Sequence, residues 1–303
     1  MMNQKEQTLA PDYAGNAIHA NGLAETSGDG SPVLEDVASI DTRYGRILVQ
    51  DGVYNGHPVR YYRQSDIYSS VTYLEDALKY ELVFDYVKAY NRAFDYVPRL
   101  RSAMMIGGAA YQYPKYYISH YPGASMDVVE IDGEAAKIAK KYFFLDDLIR
   151  DYDTETTGRL NLITADGRAF LSETRKTYDA IFSDTFLGDT PARVLATVEA
   201  ARSIRNHLNP GGVYMLNLLG VTRGSLQGKG NRLLRSELET VKRAFPYVYV
   251  FLSAKAMGGM EYGNYAALAS DTALDVPDQM LYRVEEGDLI LTDDDCPIEQ
   301  LID

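Results

Sequence analysis

The run Met104-Met105-Ile106-Gly107-Gly108-Ala109-Ala110 reads as a buried strand that ends in small residues and opens toward a helix. Small side chains at such a turn let a ligand approach the backbone N–H groups closely. Any tight strand-to-helix connection favours glycine, and the third glycine of G-x-G-x-x-G is missing, so the turn carries meaning only in company. Its companion is Val128-Val129-Glu130-Ile131-Asp132, at the end of the next apolar run. An acid placed about 20 residues after the glycines, at a strand end, can accept both hydroxyls of a ribose.

Around these two segments, apolar runs at 103–106, 127–131, 160–164, 178–183 and 213–218 alternate with helical stretches at 114–120, 133–142, 167–174, 191–208 and 228–245. That alternation predicts a parallel sheet covered by helices on both faces. Two more strands, 247–252 and 265–269, are joined through Gly258, Gly259 and Gly263 without a helix, so they must pair antiparallel. The expected fold class is α/β: a Rossmann-like, class I SAM-dependent methyltransferase fold, with a mostly parallel seven-stranded sheet and a terminal antiparallel hairpin. A nicotinamide-binding fold would continue instead with a helix and a parallel strand.

Upstream, residues 1–31 are rich in Ala, Gly, Asn, Asp and Ser and are expected to form a flexible tail. Residues 32–72 predict a small β module, with strands at 44–50 and 59–62 and turn signals at Asp51-Gly52 and Asn55-Gly56. Residues 73–303 are expected to form the nucleoside-binding domain. It opens with an amphipathic helix over 73–94, where Leu74, Ala77, Leu78, Leu82, Tyr86 and Ala89 recur at helical spacing.

Two further acids stand at strand ends. Asp166, in Thr164-Ala165-Asp166-Gly167-Arg168, can cap a helix and accept the amino group of an adenine, with Gly167 beside it. Asp184 follows the apolar run Tyr178-Asp179-Ala180-Ile181-Phe182-Ser183 and can orient or deprotonate a nucleophile. Tyr111, Tyr113, Tyr116, Tyr117 and Tyr121 crowd the stretch after the glycine turn and read mainly as packing residues.

Composition narrows the classes. Of 303 residues, 46% are hydrophobic and the net charge is −13, which suits a folded domain and repels nucleic acid. The single cysteine, Cys296, and four scattered histidines offer neither a disulfide nor a metal site. The sequence holds no apolar run long enough for a membrane span, so a cytoplasmic protein without membrane contact is expected. It also lacks a phosphate loop, a nucleophile elbow and an H-E-x-x-H motif.

Together, Ile106-Gly107-Gly108, Val129-Glu130-Ile131-Asp132, Ala165-Asp166-Gly167-Arg168-Ala169-Phe170-Leu171 and Tyr178 to Asp184 resemble the spermidine synthase family over roughly residues 40–303. The ending Leu291-Thr292-Asp293-Asp294-Asp295-Cys296-Pro297-Ile298-Glu299 is similar to spermidine-synthase-like bacterial proteins. The resemblance implies a homodimer and S-adenosylmethionine or its decarboxylated form as cofactor, without metal. It places Gly107, Gly108, Ala109, Glu130, Ile131, Asp166 and Gly167 at the nucleoside, with Asp184 as proton acceptor. Gln64 and Asp189 would lie on the substrate side.

Two positions depart from that pattern. The aminopropyltransferase glycine loop carries an aspartate where this chain has Ala110, and a second aspartate falls on Leu187. Both acids normally engage amino groups, and an unpaired ammonium in a pocket is costly. The leading expectation is therefore a spermidine-synthase-like SAM-dependent transferase, methyl transfer included, acting on an unnamed small-molecule acceptor. The alternatives are a true aminopropyltransferase making spermidine from putrescine, and a noncatalytic nucleoside-binding or scaffold protein.

Overall fold

Alternating burial between residues 45 and 73 builds an antiparallel sheet of four strands in sequential order: β1 (Glu35–Thr42), β2 (Gly45–Tyr54), β3 (His57–Gln64) and β4 (Ile67–Tyr73). The computed structural model describes residues 33–64, 67–188, 190–255 and 262–302. The expected tail and Asp189 lie outside them.

Only one of the two turn signals here makes a turn. Asn55 and Gly56, both at positive φ, link β2 to β3, as a two-residue hairpin requires. Gly52 instead sits inside β2, paired with Val59. A Cβ there would lie 2.7 Å from Leu34 Cδ2, so the glycine serves close packing and no reversal.

The helix expected over 73–94 does not form as one unit. Residues 74–84 form a turn at 76–80 with irregular backbone on either side, and Leu82, Val83 and Phe84 are buried in succession, a pattern no single helix face allows. Helical turns begin only at α1 (Asp85–Lys88), pass through a 3₁₀ segment at Ala89–Arg92 and end in α2 (Ala93–Tyr96). Val87, Tyr90 and Ala93 are buried every third residue, the repeat of a 3₁₀ helix, whose side chains eclipse at i and i+3.

The second sheet has the order β12-β13-β11-β8-β5-β6-β7. Its parallel part comprises β5 (Ser102–Ile106), β6 (Ser125–Glu130), β7 (Leu160–Thr164), β8 (Tyr178–Ser183) and β11 (Leu208–Val221). β12 (Tyr247–Ala254) and β13 (Tyr262–Ser270) are the antiparallel pair expected from their direct connection. A two-residue ladder, β9 (Phe186–Leu187) with β10 (Thr190–Pro191), lies apart from it.

The covering helices are α3 (Gln112–His120), α4 (Gly133–Tyr142), α5 (Leu145–Asp151), α6 (Thr154–Thr157), α7 (Gly167–Glu173), α8 (Val198–Asn206) and α9 (Arg232–Lys242). The helix expected over 191–208 starts late because Pro191 joins the short ladder and Thr197 caps α8, its hydroxyl accepting from Ala200 N at 3.2 Å. Likewise a 3₁₀ turn at Lys229–Asn231 delays α9. α5 and α6, between α4 and β7, carry no signal that was read from sequence.

Lys115 joins the two sheets' territories. It is fully buried on α3, and its ammonium donates to Phe143 O at 2.6 Å and to Thr72 Oγ1 of β4 at 3.1 Å. Burial pushes this lysine down to about 7. Beyond β13 the chain runs back over α8 and α9: Leu289 N donates to Ser236 Oγ and Leu291 N to Thr240 Oγ1. Arg235 and Asp288, both buried, pair through two bonds of 2.9 and 2.8 Å, the geometry that keeps a buried guanidinium satisfied.

Candidate active site

In the second sheet β6 and β7 extend to one side of β5 and β8 to the other, so strand order reverses at β5. Open α/β sheets form their ligand crevice at such a point, outside the carboxyl ends of the strands. A cavity of about 850 Å³ opens there, bounded on its other side by the first sheet through Tyr44, Tyr62, Gln64 and Tyr68. Gly107, Gly108, Ala109, Glu130, Ile131, Asp166, Gly167, Asp184 and Gln64 all line it.

The glycine turn is bound tightly to both neighbouring strands. Gly107 N donates to Val129 O at 2.9 Å, and Asp184 N donates to Ile106 O at 3.0 Å. Gly107 has φ +90°, and a Cβ there would fall 2.1 Å from Asp184 O, so only glycine fits. Ala109 and Tyr111 also hold positive φ, a conformation that strains residues with a Cβ.

Glu130 braces this turn. Its Oε2 accepts from Gly108 N at 2.7 Å and Ala109 N at 3.0 Å, while Oε1 accepts from Asp132 N at 2.9 Å. A carboxylate offers about four lone-pair sites, so roughly one remains for a ligand hydroxyl. Asp132, two residues on, supplies the complement. Its Oδ1 caps α4 by accepting from Glu134 N at 3.0 Å, and its buried Oδ2 lacks a partner among the described residues. Asp132 lines the same cavity, so the two neighbouring acids can share the hydroxyls of a ribose. Asp166 caps α7 through Ala169 N at 2.9 Å and also faces the cavity.

Asp184 is held differently. Its Oδ1 accepts from Asn217 Nδ2 of β11 at 2.9 Å, and Asn217 Oδ1 in turn accepts from Asn264 Nδ2 of β13 at 3.0 Å. Burial raises its pKa above the usual carboxylate value, with Asn217 and the hydroxyls of Tyr90 and Tyr86 pulling the other way. Tyr86 and Tyr90 are themselves pushed well above the ordinary phenol range, first by burial and then by Asp184. A desolvated carboxylate whose pKa is raised is a better proton acceptor. Asn217, Asn264 and Tyr90 are not singled out by the sequence, and Tyr86 figures there only in the helical spacing over 73–94. The available signal was an amide inside the apolar strand Tyr214 to Leu219 and another, Asn264, immediately before the apolar run Tyr265 to Ala269.

Charge in the cavity is one-sided. Asp85, Glu130, Asp132, Asp166 and Asp184 line it, against Lys255 as the one lining lysine or arginine among the described residues. Asp85 is already paired with Lys88 at 2.8 Å. Such a surface suits a cationic ligand.

The two departures differ in position. Ala110 is buried in the core, whereas Leu187 is 64% exposed at the cavity rim, on β9. Gln64 lines the cavity, but its Nε2 donates to Tyr44 O at 2.9 Å, within the first sheet. Among the clustered tyrosines, Tyr111, Tyr113 and Tyr117 are buried and Tyr113 reaches the cavity. Cys296 is buried, and no group of His, Cys, Asp and Glu able to hold a metal occurs among the described residues.

The C-terminal segment belongs to the site's frame. Leu301 and Ile302 line the cavity. Asp293 accepts from Arg168 Nη2 of α7 at 2.8 Å and from Thr197 Oγ1 at 2.6 Å, linking the residues after Asp166 to the cap of α8.

Strand order, crevice and the antiparallel last strand together define a Rossmann-like domain of the class I SAM-dependent methyltransferase fold. The sequence model of the spermine/spermidine synthase domain matches residues 91–254, more than half of the chain, and the chain belongs to that family. It is 27% identical over 235 residues to a probable polyamine aminopropyl transferase of Bifidobacterium longum, an alignment covering 66% of this chain and 48% of the relative. The chain thus spans about half the length of that relative. In structure it is similar to a probable spermidine synthase from Corynebacterium glutamicum, with TM-score 0.63 and 21% identity over 82% of this chain and 85% of the other. A spermidine synthase in complex with the transition-state analogue AdoDATO gives TM-score 0.57 and 17% identity, covering 90% and 85%. Among the described residues no helix is long and apolar enough to cross a membrane.

Proposed function

We propose that this chain is an aminopropyltransferase, using decarboxylated S-adenosylmethionine as donor and a small primary amine as acceptor. The observation that carries the reading is the acid-lined cavity with the desolvated Asp184 on one wall, since both donor and acceptor are cations. The relative from Bifidobacterium longum, described as an aminopropyl transferase, favours this over methyl transfer, the form of transfer that Ala110 and Leu187 suggested.

The donor supplies a carbon made electrophilic by its sulfonium. Glu130 and Asp132 hold the ribose, Asp166 takes the adenine amino group, and Gly107 and Gly108 admit the nucleoside against the backbone. Asp184 takes a proton from the acceptor's ammonium, and the lone pair so freed forms the new C–N bond as the C–S bond breaks. The bonding pair leaves on sulfur as neutral methylthioadenosine, and the alkylated nitrogen keeps its two protons as a secondary ammonium. Most of the rate comes from alignment of the two cations, with Asp184 contributing the proton step.

Incubation of the purified chain with decarboxylated S-adenosylmethionine and a panel of amines should release methylthioadenosine and yield an amine heavier by one aminopropyl group. Methylated product from S-adenosylmethionine instead, or no turnover with any amine, would overturn the proposal.

A further inference from the structure

Gln112 opens α3 and lines the cavity, with its side chain almost wholly withdrawn from solvent. Neither its Oε1 nor its Nε2 has a hydrogen-bond partner among the described residues. A buried amide left unpaired costs stability, and such groups are kept where a ligand completes them.

Its place in the fold indicates which part of a ligand it meets. The glycine turn and α3 follow β5, which lies between β6 and β8. Gln112 therefore follows the glycine turn at the end of β5 and lines the same cavity as Glu130 at the end of β6 and Asp184 beyond β8. The next residue, Tyr113, has a buried hydroxyl that also lacks a partner among the described residues. Its ring packs 5.2 Å from that of Tyr90, which faces Asp184, and 5.0 Å from that of Phe182 at the end of β8. Ala110, two residues earlier, is turned into the core and offers no polar atom.

We infer that Gln112 is the donor-chain residue of this site: its amide oxygen accepts a hydrogen bond from the terminal ammonium of the donor's three-carbon chain. Tyr113 Oη accepts from a second ammonium proton. A neutral amide is matched to this place because the cavity it lines already carries several acids. The inference rests on the aminopropyl reading and adds a specificity-determining residue to it.

The test compares two ligands on the full chain by calorimetry: decarboxylated S-adenosylmethionine, and methylthioadenosine, which keeps the nucleoside but lacks the amine. Gln112→Leu should weaken the first by about 10–100-fold, the loss of a hydrogen bond to a charged group, and leave the second unchanged. Gln112→Glu should retain tight binding of the first. Because leucine removes two unpaired buried polar atoms, the unliganded Gln112→Leu protein should melt about 2–4 °C higher than wild type. A lower melting temperature would mark Gln112 as a structural residue and overturn the inference. So would equal effects on both ligands, or none. Failure of wild type to bind methylthioadenosine would defeat the nucleoside reading itself, and the inference with it.

Discussion

The two flanks of the crevice hold their carboxylates by different means. Around β6 and β7, Glu130, Asp132 and Asp166 are gripped by backbone N–H groups no more than about one turn or one loop away in space, and two of them cap helices. Beyond β8, Asp184 is held by Asn217 of β11 and sits beside Tyr86 of α1 and Tyr90 of the 3₁₀ segment after it, all remote in sequence. Backbone donors are present whatever the side chains are, so the first flank is a consequence of strand-to-turn-to-helix geometry. The second exists only when several elements have packed together, and there desolvation changes the chemistry of the acid. One flank is suited to holding a ligand, the other to accepting a proton.

Breaking the second flank alone gives the largest expected effect. Asp184→Asn should lower turnover by about 10²–10⁴-fold while leaving methylthioadenosine binding intact, as measured by product formation beside calorimetry. Comparable losses in both would mean that the two flanks are not functionally separate.

The join between them is Gly107, where a new Cβ would collide with the Asp184 carbonyl and φ is positive. Gly107→Ala should destabilise the protein by roughly 2–3 kcal/mol in urea unfolding, through strain and displacement of the β8 loop. A stability equal to wild type would show that the two strand ends are not in close contact.

A finer cut concerns pH. If turnover needs Asp184 ionised, the rate falls as pH drops through its pKa, and burial places that limb above the usual carboxylate range. The bond from Asn217 acts to lower the pKa, so Asn217→Leu should move the acid limb further up the pH scale. The pH profile of kcat measures this. An unmoved limb with reduced kcat would assign Asn217 to packing alone.

Legibility in the sequence follows the same division. Strands β7 and β8 and helix α4 have the bounds expected for them, since short apolar runs and a helix capped by Asp132 are local patterns. The stretch over 73–94 misleads because its apolar residues also satisfy a helical spacing. What decides its form is the seam between two sheets, where Leu82, Val83 and Phe84 are all buried. Asp51-Gly52 misleads for a related reason: its composition favours a turn, but the approach of Leu34 and Tyr61 keeps it in a strand.

The sequence by itself determined the α/β class, the family resemblance, the glycine turn and the acids at the ends of β6, β7 and β8, because each depends on periodicity or on chemistry within a few residues. Tertiary structure decided that these acids share one cavity, that Asp132 has an oxygen to spare, and that Ala110 is core while Leu187 is rim. It also decided that Gln112 is enclosed without a partner and that Asp184 is desolvated. Burial and long-range hydrogen bonds are set by elements far apart in the chain, and no local pattern encodes the distance between them.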